Sequence, residues 1–222
     1  MLQRLGLPIG LHITLHKRIP AQAGLGGGSS DAAAALRAVA VLVGWSPDLQ
    51  DMASVAAEIG SDVPFLLAGG TALVEGRGEI VTPMAPAPTM HLVIVKPDGG
   101  VPTGPAYAAL DNLTDRAPGS ATARVVEALV DGHVGLIAGA MANDFEAVVP
   151  RLCAGVAEAR DALLEAGLTV ARLCGSGSAV FGVVSAADEA QSVCAKIADR
   201  FPFAAACHTV GSAHATTVEA LE

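Results

Sequence analysis

Nine consecutive residues carry the densest chemical signal in the chain. Ala23-Gly24-Leu25-Gly26-Gly27-Gly28-Ser29-Ser30-Asp31 sets four glycines beside two hydroxyls and a carboxylate. Glycine has no Cβ, so backbone N–H groups there can come close to a ligand. A helix that starts at the end of the run adds N–H groups without intrahelical partners and the positive end of its dipole. Such a cradle binds phosphate without a basic side chain. Ser29 and Ser30 have two readings, as N-caps of that helix or as ligands of a phosphate or a magnesium ion. Three common loops do not fit. A Walker A loop ends in Gly-Lys-Ser/Thr and no lysine stands here, and the dinucleotide pattern Gly-x-Gly-x-x-Gly needs glycine at the place of Ser29. No Gly-x-Ser-x-Gly elbow of a serine hydrolase occurs.

Other residues add smaller signals. Asp62 follows Gly60-Ser61 and precedes Val63-Pro64-Phe65. A carboxylate there either serves a turn or takes a hydroxyl proton and aims the oxygen at a phosphorus. Gly175-Ser176-Gly177 reads as a tight turn between two strand-like runs. Cys174 beside it reads as packing rather than as a nucleophile. Tyr107, the single tyrosine, reads either as a half-buried structural residue or as a ring offered to a ligand. His12 and His16 would share one face of a strand, but without a third ligand they make no zinc site. Cys153, Cys174, Cys194 and Cys207 lack Cys-x-x-Cys spacing and read as free, buried thiols of a reducing cytosol.

Strands and helices alternate around these residues. Residues 11–17 alternate apolar and polar types, as a half-buried strand does, and feed the glycine run. An alanine-rich helix runs from Ser29, Ser30 or Asp31 to about Val43 and stops at Gly44. A second helix is marked by Ser46 as N-cap, Pro47 at its first position and Gly60 past its end. A short strand spans 71–75. Pro83, Pro86 and Pro88 mark a boundary between two lobes. Beyond it the pattern predicts strands over 91–95, 170–174, 179–184 and 204–210, and helices over 119–131, 134–142, 150–166 and 187–200. Residues after Gly211 read as a loose tail. The second lobe thus reads as an α+β sandwich of ferredoxin-like type.

Composition bounds the function. The 222 residues are 52% hydrophobic and 16% charged, which excludes a disordered chain. Aromatics are 3%, so Ala, Val and Leu must build the core, with Phe65, Phe201 and Phe203 added. A net charge of −9 disfavours nucleic-acid backbones and anionic membranes as partners. The most apolar stretch, 32–43, carries Arg37 and falls short of the roughly 20 residues of a membrane span. With no signal peptide evident, the expectation is a soluble, cytoplasmic protein.

The run from Ile19 to Ala33, Ile-Pro-Ala-Gln-Ala-Gly-Leu-Gly-Gly-Gly-Ser-Ser-Asp-Ala-Ala, resembles the ATP-binding motif of the GHMP kinase superfamily. Its triple glycine and double serine resemble the branch acting on 4-diphosphocytidyl-2-C-methyl-D-erythritol, in the methylerythritol phosphate route to isoprenoids. The homoserine and mevalonate branches carry a shorter Gly-Leu-Gly-Ser-Ser form. Gly60-Ser61-Asp62-Val63-Pro64 is similar to the family's Gly-x-Asp-Val-Pro motif, and 173–181 is similar to its third, glycine-turn motif, which packs near the ATP loop. Weaker echoes are Glu75-Gly76-Arg77-Gly78-Glu79, Pro102-Thr103 and Asn143-Asp144-Phe145-Glu146.

The resemblance implies a two-lobed α+β GHMP kinase fold. A ribosomal-protein-S5-like N-terminal lobe over 1–85 would bind ATP, and a ferredoxin-like α/β sandwich would form the C-terminal lobe over 86–222. It implies ATP and Mg2+ as cofactors and a small-molecule substrate. Pro20, Ala21, Gln22, Ala23, Gly24, Leu25, Gly26, Gly27, Gly28, Ser29 and Ser30 would bind ATP, with Ser30 also near the metal. Asp62 would be the catalytic base, and Thr103, Tyr107, Gly175 and Gly177 would face the substrate, with the tyrosine ring on the cytosine. The family's N-terminal segment with a Pro-x-Lys-x-Asn-Leu motif does not precede these residues, so an incomplete first lobe is expected. Lys17 and Arg18, the basic residues near the loop, do not stand at the motif lysine's place. Two other readings stay open: a GHMP kinase with a homoserine- or mevalonate-type acceptor, and a non-catalytic nucleotide-binding remnant.

Overall fold

The computed structural model describes residues 1–46, 49–113 and 119–217; the expected helix start at Pro47 lies outside them. The chain forms two compact units that interleave in sequence. The first comprises Met1–Ile19, Gly26–Pro86 and Val210–Glu222, the second Pro20–Leu25 and Ala87–Thr209.

In the first unit, α1 (Gly27–Leu42), α2 (Leu49–Ile59) and α3 (Val63–Ala68) pack on one another. Ala33 and Leu36 of α1, Val55 and Ala56 of α2, and Val63 and Leu67 of α3 form their shared core. The expected serine cap is corrected. Gly26 is the N-cap of α1, in the left-handed region at φ 65°, and the Ser30 N–H already bonds its carbonyl at 2.8 Å. A conformation open to glycine turns the chain into the helix early and draws Ser29 and Ser30 into its first turn. Gly44 ends the helix at φ 66°, with the Trp45 N–H on the Ala40 carbonyl. Next, β1 (Ala72–Glu75) pairs antiparallel with β2 (Ile80–Pro83), from Ala72↔Pro83 to Glu75↔Ile80. Ser212–Ala215 forms a helical turn where a loose tail was expected, and a Cβ on Gly70 would stand 3.1 Å from that of Ser212.

Residues 11–17 are not a strand. Leu11, Ile13 and Leu15 are exposed, Ile13 by 64%. Alternation supplies the period of a strand, but a strand exists only through a ladder to a neighbour. Among the described residues none pairs with this segment.

The second unit holds β3 (His91–Lys96), α4 (Thr103–Asp111), α5 (Ala121–Asp131) and α6 (Val134–Ala140). A 3-10 turn (Asp144–Ala147), α7 (Val149–Leu152) and α8 (Gly155–Glu165) follow. The chain then forms β4 (Ala171–Leu173), β5 (Val180–Val184), α9 (Ala187–Ile197) and β6 (Phe203–His208). The sheet is antiparallel in the order β4-β5-β3-β6, so the lobe's first strand lies between its third and fourth. That order is the ferredoxin-like α/β sandwich. Val93, Val95, Val180 and Val184 of the sheet pack with Ala159 and Leu163 of α8 and Val193 and Ile197 of α9. Phe201 joins this core, while Phe65 and Phe203 are half-buried. No helix among the described residues is long and apolar enough to cross a membrane.

Candidate functional site

The expected nucleotide loop is divided between the units, Pro20–Leu25 in the second and Gly26–Ser30 in the first. The first half lies along the glycine turn. Ser178 N–H donates to the Gln22 carbonyl at 3.2 Å and Ala179 N–H to the Ala23 carbonyl at 2.9 Å. The turn is closed by Gly177 N–H on the Cys174 carbonyl and Cys174 N–H on the Ala179 carbonyl, both 2.8 Å. Gly24, at φ 71°, rests on this turn with no room for a side chain; a Cβ there would lie 1.9 Å from the Cys174 carbonyl oxygen. A Cβ on Gly175 would lie 2.8 Å from the Gly24 carbonyl oxygen. These glycines therefore serve a backbone-to-backbone approach, and the structure brings Gly24, Gly175 and Gly177 together. The Ser178 side chain is fully buried and donates to the Gly99 carbonyl at 3.3 Å. Burial, and after it the neighbouring Cys207, pushes the Cys174 thiol up to about 12, so it is a packing group and not a thiolate.

The second half of the loop opens α1. The N–H groups of Gly27, Gly28 and Ser29 fall in the first turn, where a helix offers no internal acceptors. Lys17 Nζ forms an ion pair with Asp31, and it would lie 3.4 Å from a Cβ on Gly27. One ammonium group thus lies beside the helix start, with its charge balanced by Asp31.

Asp62 sits in the same unit as this helix start. It is exposed and stands at the N-cap position of α3 without a side-chain capping bond. The helix that follows was not foreseen, because Val-Pro-Phe reads as loop, although proline is tolerated in a first turn. A Cβ on Gly60 would stand 4.0 Å from Ser29 Oγ, which places the α2–α3 corner against the first turn of α1. The hairpin of β1 and β2 supports this corner. Gly78, at φ 110°, leaves room for the Ser61 carbonyl oxygen, which a Cβ would meet at 2.0 Å. The short run Gly76-Arg77-Gly78 was the only sequence signal of that role.

In the second unit, Thr103 and Tyr107 lie one turn apart on α4, both exposed. That helix was also missed, since Thr-Gly-Pro at its start has the composition of a turn. Thr103 Oγ1 lies 3.3 Å from Ser176 Oγ of the glycine turn. The Tyr107 ring, 53% exposed, meets Phe145 edge-on at 4.9 Å between centroids. Asn143 and Glu146 bind the same turn region and had only a weak sequence echo. The four cysteines are free and half-buried, and among the described residues no three His, Cys, Asp or Glu side chains converge to hold a metal ion.

A divided glycine loop, a carboxylate at a nearby helix start and a ferredoxin-like second unit define a GHMP-type kinase. Two families match accordingly: the GHMP kinases N terminal domain over residues 1–70 and the GHMP kinases C terminal over 125–202. The 4-diphosphocytidyl-2-C-methyl-D-erythritol kinase of Moorella thermoacetica is 41% identical over 201 residues, covering 90% of this chain and 70% of that protein. The enzyme of the same name from Heliobacterium modesticaldum is 39% identical over 212 residues, covering 88% of this chain and 67% of that one. A crystal structure of 4-(cytidine 5'-diphospho)-2C-methyl-D-erythritol kinase superposes with a TM-score of 0.78 at 36% identity, over 95% of this chain and 74% of that one. Homoserine kinase from Cytophaga hutchinsonii shares the fold, with a TM-score of 0.71 at 23% identity over 95% of this chain and 73% of that one. The chain belongs to the 4-diphosphocytidyl-2-C-methyl-D-erythritol kinase family of the GHMP kinases.

Proposed function

We propose that the protein transfers the γ-phosphoryl group of ATP to the 2-hydroxyl of 4-diphosphocytidyl-2-C-methyl-D-erythritol. The acceptor rests on one observation, the identity of about 40% with enzymes of that name over most of the chain. The nucleotide site rests on the chain's own residues, Pro20–Ser30. In a protein of net charge −9, a tetra-anion is best received by backbone N–H groups and a helix dipole. The first turn of α1, with the N–H groups of Gly27, Gly28 and Ser29, supplies both. Asp62 takes the proton of the attacking hydroxyl and orients its oxygen toward the γ-phosphorus, the role of a catalytic carboxylate in phosphoryl transfer.

Magnesium fits this donor set. It binds through one or two protein oxygens and the substrate phosphates rather than in an all-protein cage. The Ser30 hydroxyl, in the first turn of α1, is such an oxygen. When bound, the ion neutralises charge on the transferring phosphoryl group. In the lobe 86–222, the exposed ring of Tyr107 on Phe145 offers a stacking face for the cytosine, and Thr103 with the Gly175–Gly177 turn lines the same region. These roles suit a soluble, cytoplasmic enzyme of small-molecule metabolism.

The test is ATP-dependent phosphorylation of 4-diphosphocytidyl-2-C-methyl-D-erythritol, followed by phosphorus NMR, with homoserine and mevalonate as competing acceptors. Turnover confined to the cytidine-bearing acceptor, and lowered about a hundredfold or more in Asp62→Asn, supports the reading. Preference for another acceptor, or full activity of Asp62→Asn, overturns it.

A further inference from the structure

The outer edge of β4 is bound by side chains rather than by another strand. Leu173 pairs with Val180 of β5 on one side. On the other side its carbonyl accepts from Asn143 Nδ2 at 3.0 Å, and its N–H donates to Glu146 Oε1 at 3.0 Å. The same Asn143 amide nitrogen also donates to the Gly175 carbonyl at 2.8 Å. Asn143 Oδ1 accepts the Phe145 N–H at 3.0 Å, capping the 3-10 turn. All three contacts agree on the orientation of the amide: two carbonyls face its nitrogen and one N–H faces its oxygen. Asn143 therefore spends both donors on the start of the glycine turn and its acceptor on its own segment.

The turn it holds is the surface on which Pro20–Leu25 rests. The Cys174 and Gly175 backbone groups that meet Gly24 are continuous with the two carbonyls Asn143 binds. The partner groups are thirty and thirty-two residues away in sequence, so local structure does not supply this restraint. The adjoining Phe145 carries the Tyr107 ring.

We infer that Asn143 is a positioning residue for nucleotide binding: its amide sets the Cys174–Gly175 backbone and, through it, the Pro20–Leu25 half of the nucleotide loop. This rests on the nucleotide reading of that loop given above. A backbone cradle binds well only when its donors are preset, because each mobile segment must otherwise be ordered on binding. Releasing two hydrogen bonds at the turn is expected to weaken nucleotide binding about tenfold or more.

The test separates the two ends of the amide. Asn143→Asp and Asn143→Ser both keep an oxygen that can cap Phe145 N–H. The first presents a carboxylate to two carbonyls, and the second is too short to bridge them. Affinity for a non-hydrolysable ATP analogue, measured by calorimetry, is expected to fall about tenfold or more in both variants, with thermal unfolding confirming the fold. The KM for ATP should rise in step with that loss of affinity. Should one variant fail to fold, the other carries the test. Wild-type affinity in either folded variant overturns the proposal, because capping alone then accounts for Asn143. A wild-type chain that binds no nucleotide overturns the nucleotide reading itself, and this proposal with it.

Discussion

Gly24 and Cys174 meet main chain to main chain, with 1.9 Å between the Cys174 carbonyl oxygen and the place a Gly24 Cβ would occupy. Nothing in this contact is the end of a flexible side chain, so nothing can step aside. Gly24→Ala is expected to destabilise the fold by about 2–4 kcal/mol, from overpacking and from a side chain at φ 71° together. Denaturant titration measures this. A variant with wild-type stability would show that the two segments separate freely.

The Gly78 contact with Ser61 leads to a different outcome. Gly78→Ala must push the Ser61 carbonyl, and with it the backbone of Asp62. A displacement of about 1 Å at a reacting group lowers turnover by about a hundredfold. The expected signature is a fall in kcat with nucleotide affinity nearly unchanged. An equal loss in both would place the effect in the whole unit rather than at Asp62.

Cys174 gives a prediction about reactivity and pH. Its thiol, at about 12, stays protonated at neutral pH and should escape iodoacetamide in the folded protein. The folded pKa lies above that of an unfolded thiol, about 8.5. The stabilising contribution is therefore complete below that value and is lost as pH rises toward 12. Mass-spectrometric labelling at pH 7.5 checks the first statement. Comparing the alkaline stability of Cys174→Ala with wild type checks the second.

Glu189 behaves in the opposite sense. Its carboxylate accepts from Ser185 Oγ at 2.5 Å and from Ser185 N–H at 2.9 Å, at the start of α9. The hydroxyl bond first, and the N–H bond second, hold its pKa below the usual range. The contribution to stability is present above the unfolded pKa and fades as pH falls through the lower folded value. Carbon NMR of the Glu189 carboxyl should show the depressed titration, and Ser185→Ala should raise it toward an ordinary glutamate.

Residue type and spacing were enough to find the glycine loop, the glycine turn and the four strands of the ferredoxin-like sheet. These features depend on local rules: glycine where backbone must approach, alternation where a strand is half-buried. The misreadings arose where local rules competed. At the start of α1, Ser29 and Ser30 are better caps by type than Gly26, yet the left-handed glycine takes the position. The short helices α3 and α4 begin with Val-Pro and Thr-Gly-Pro, whose composition marks turns as readily as first turns of helices. Residues 11–17 have the period of a strand without the ladder. Asn143 left only a weak echo in the sequence for another reason, since its partners lie some thirty residues away and only folding brings them to it.

The interleaving of the two units has a consequence for how this protein can be divided. The chain passes from one unit to the other after Ile19, Leu25, Pro86 and Thr209. Neither unit is a contiguous stretch, so neither is a module that recombination could lift out whole. A break at Pro86 would leave one fragment without the Ser212 that meets Gly70 and the other without the Gly24 that meets Cys174. No single cut of the backbone therefore releases either unit entire.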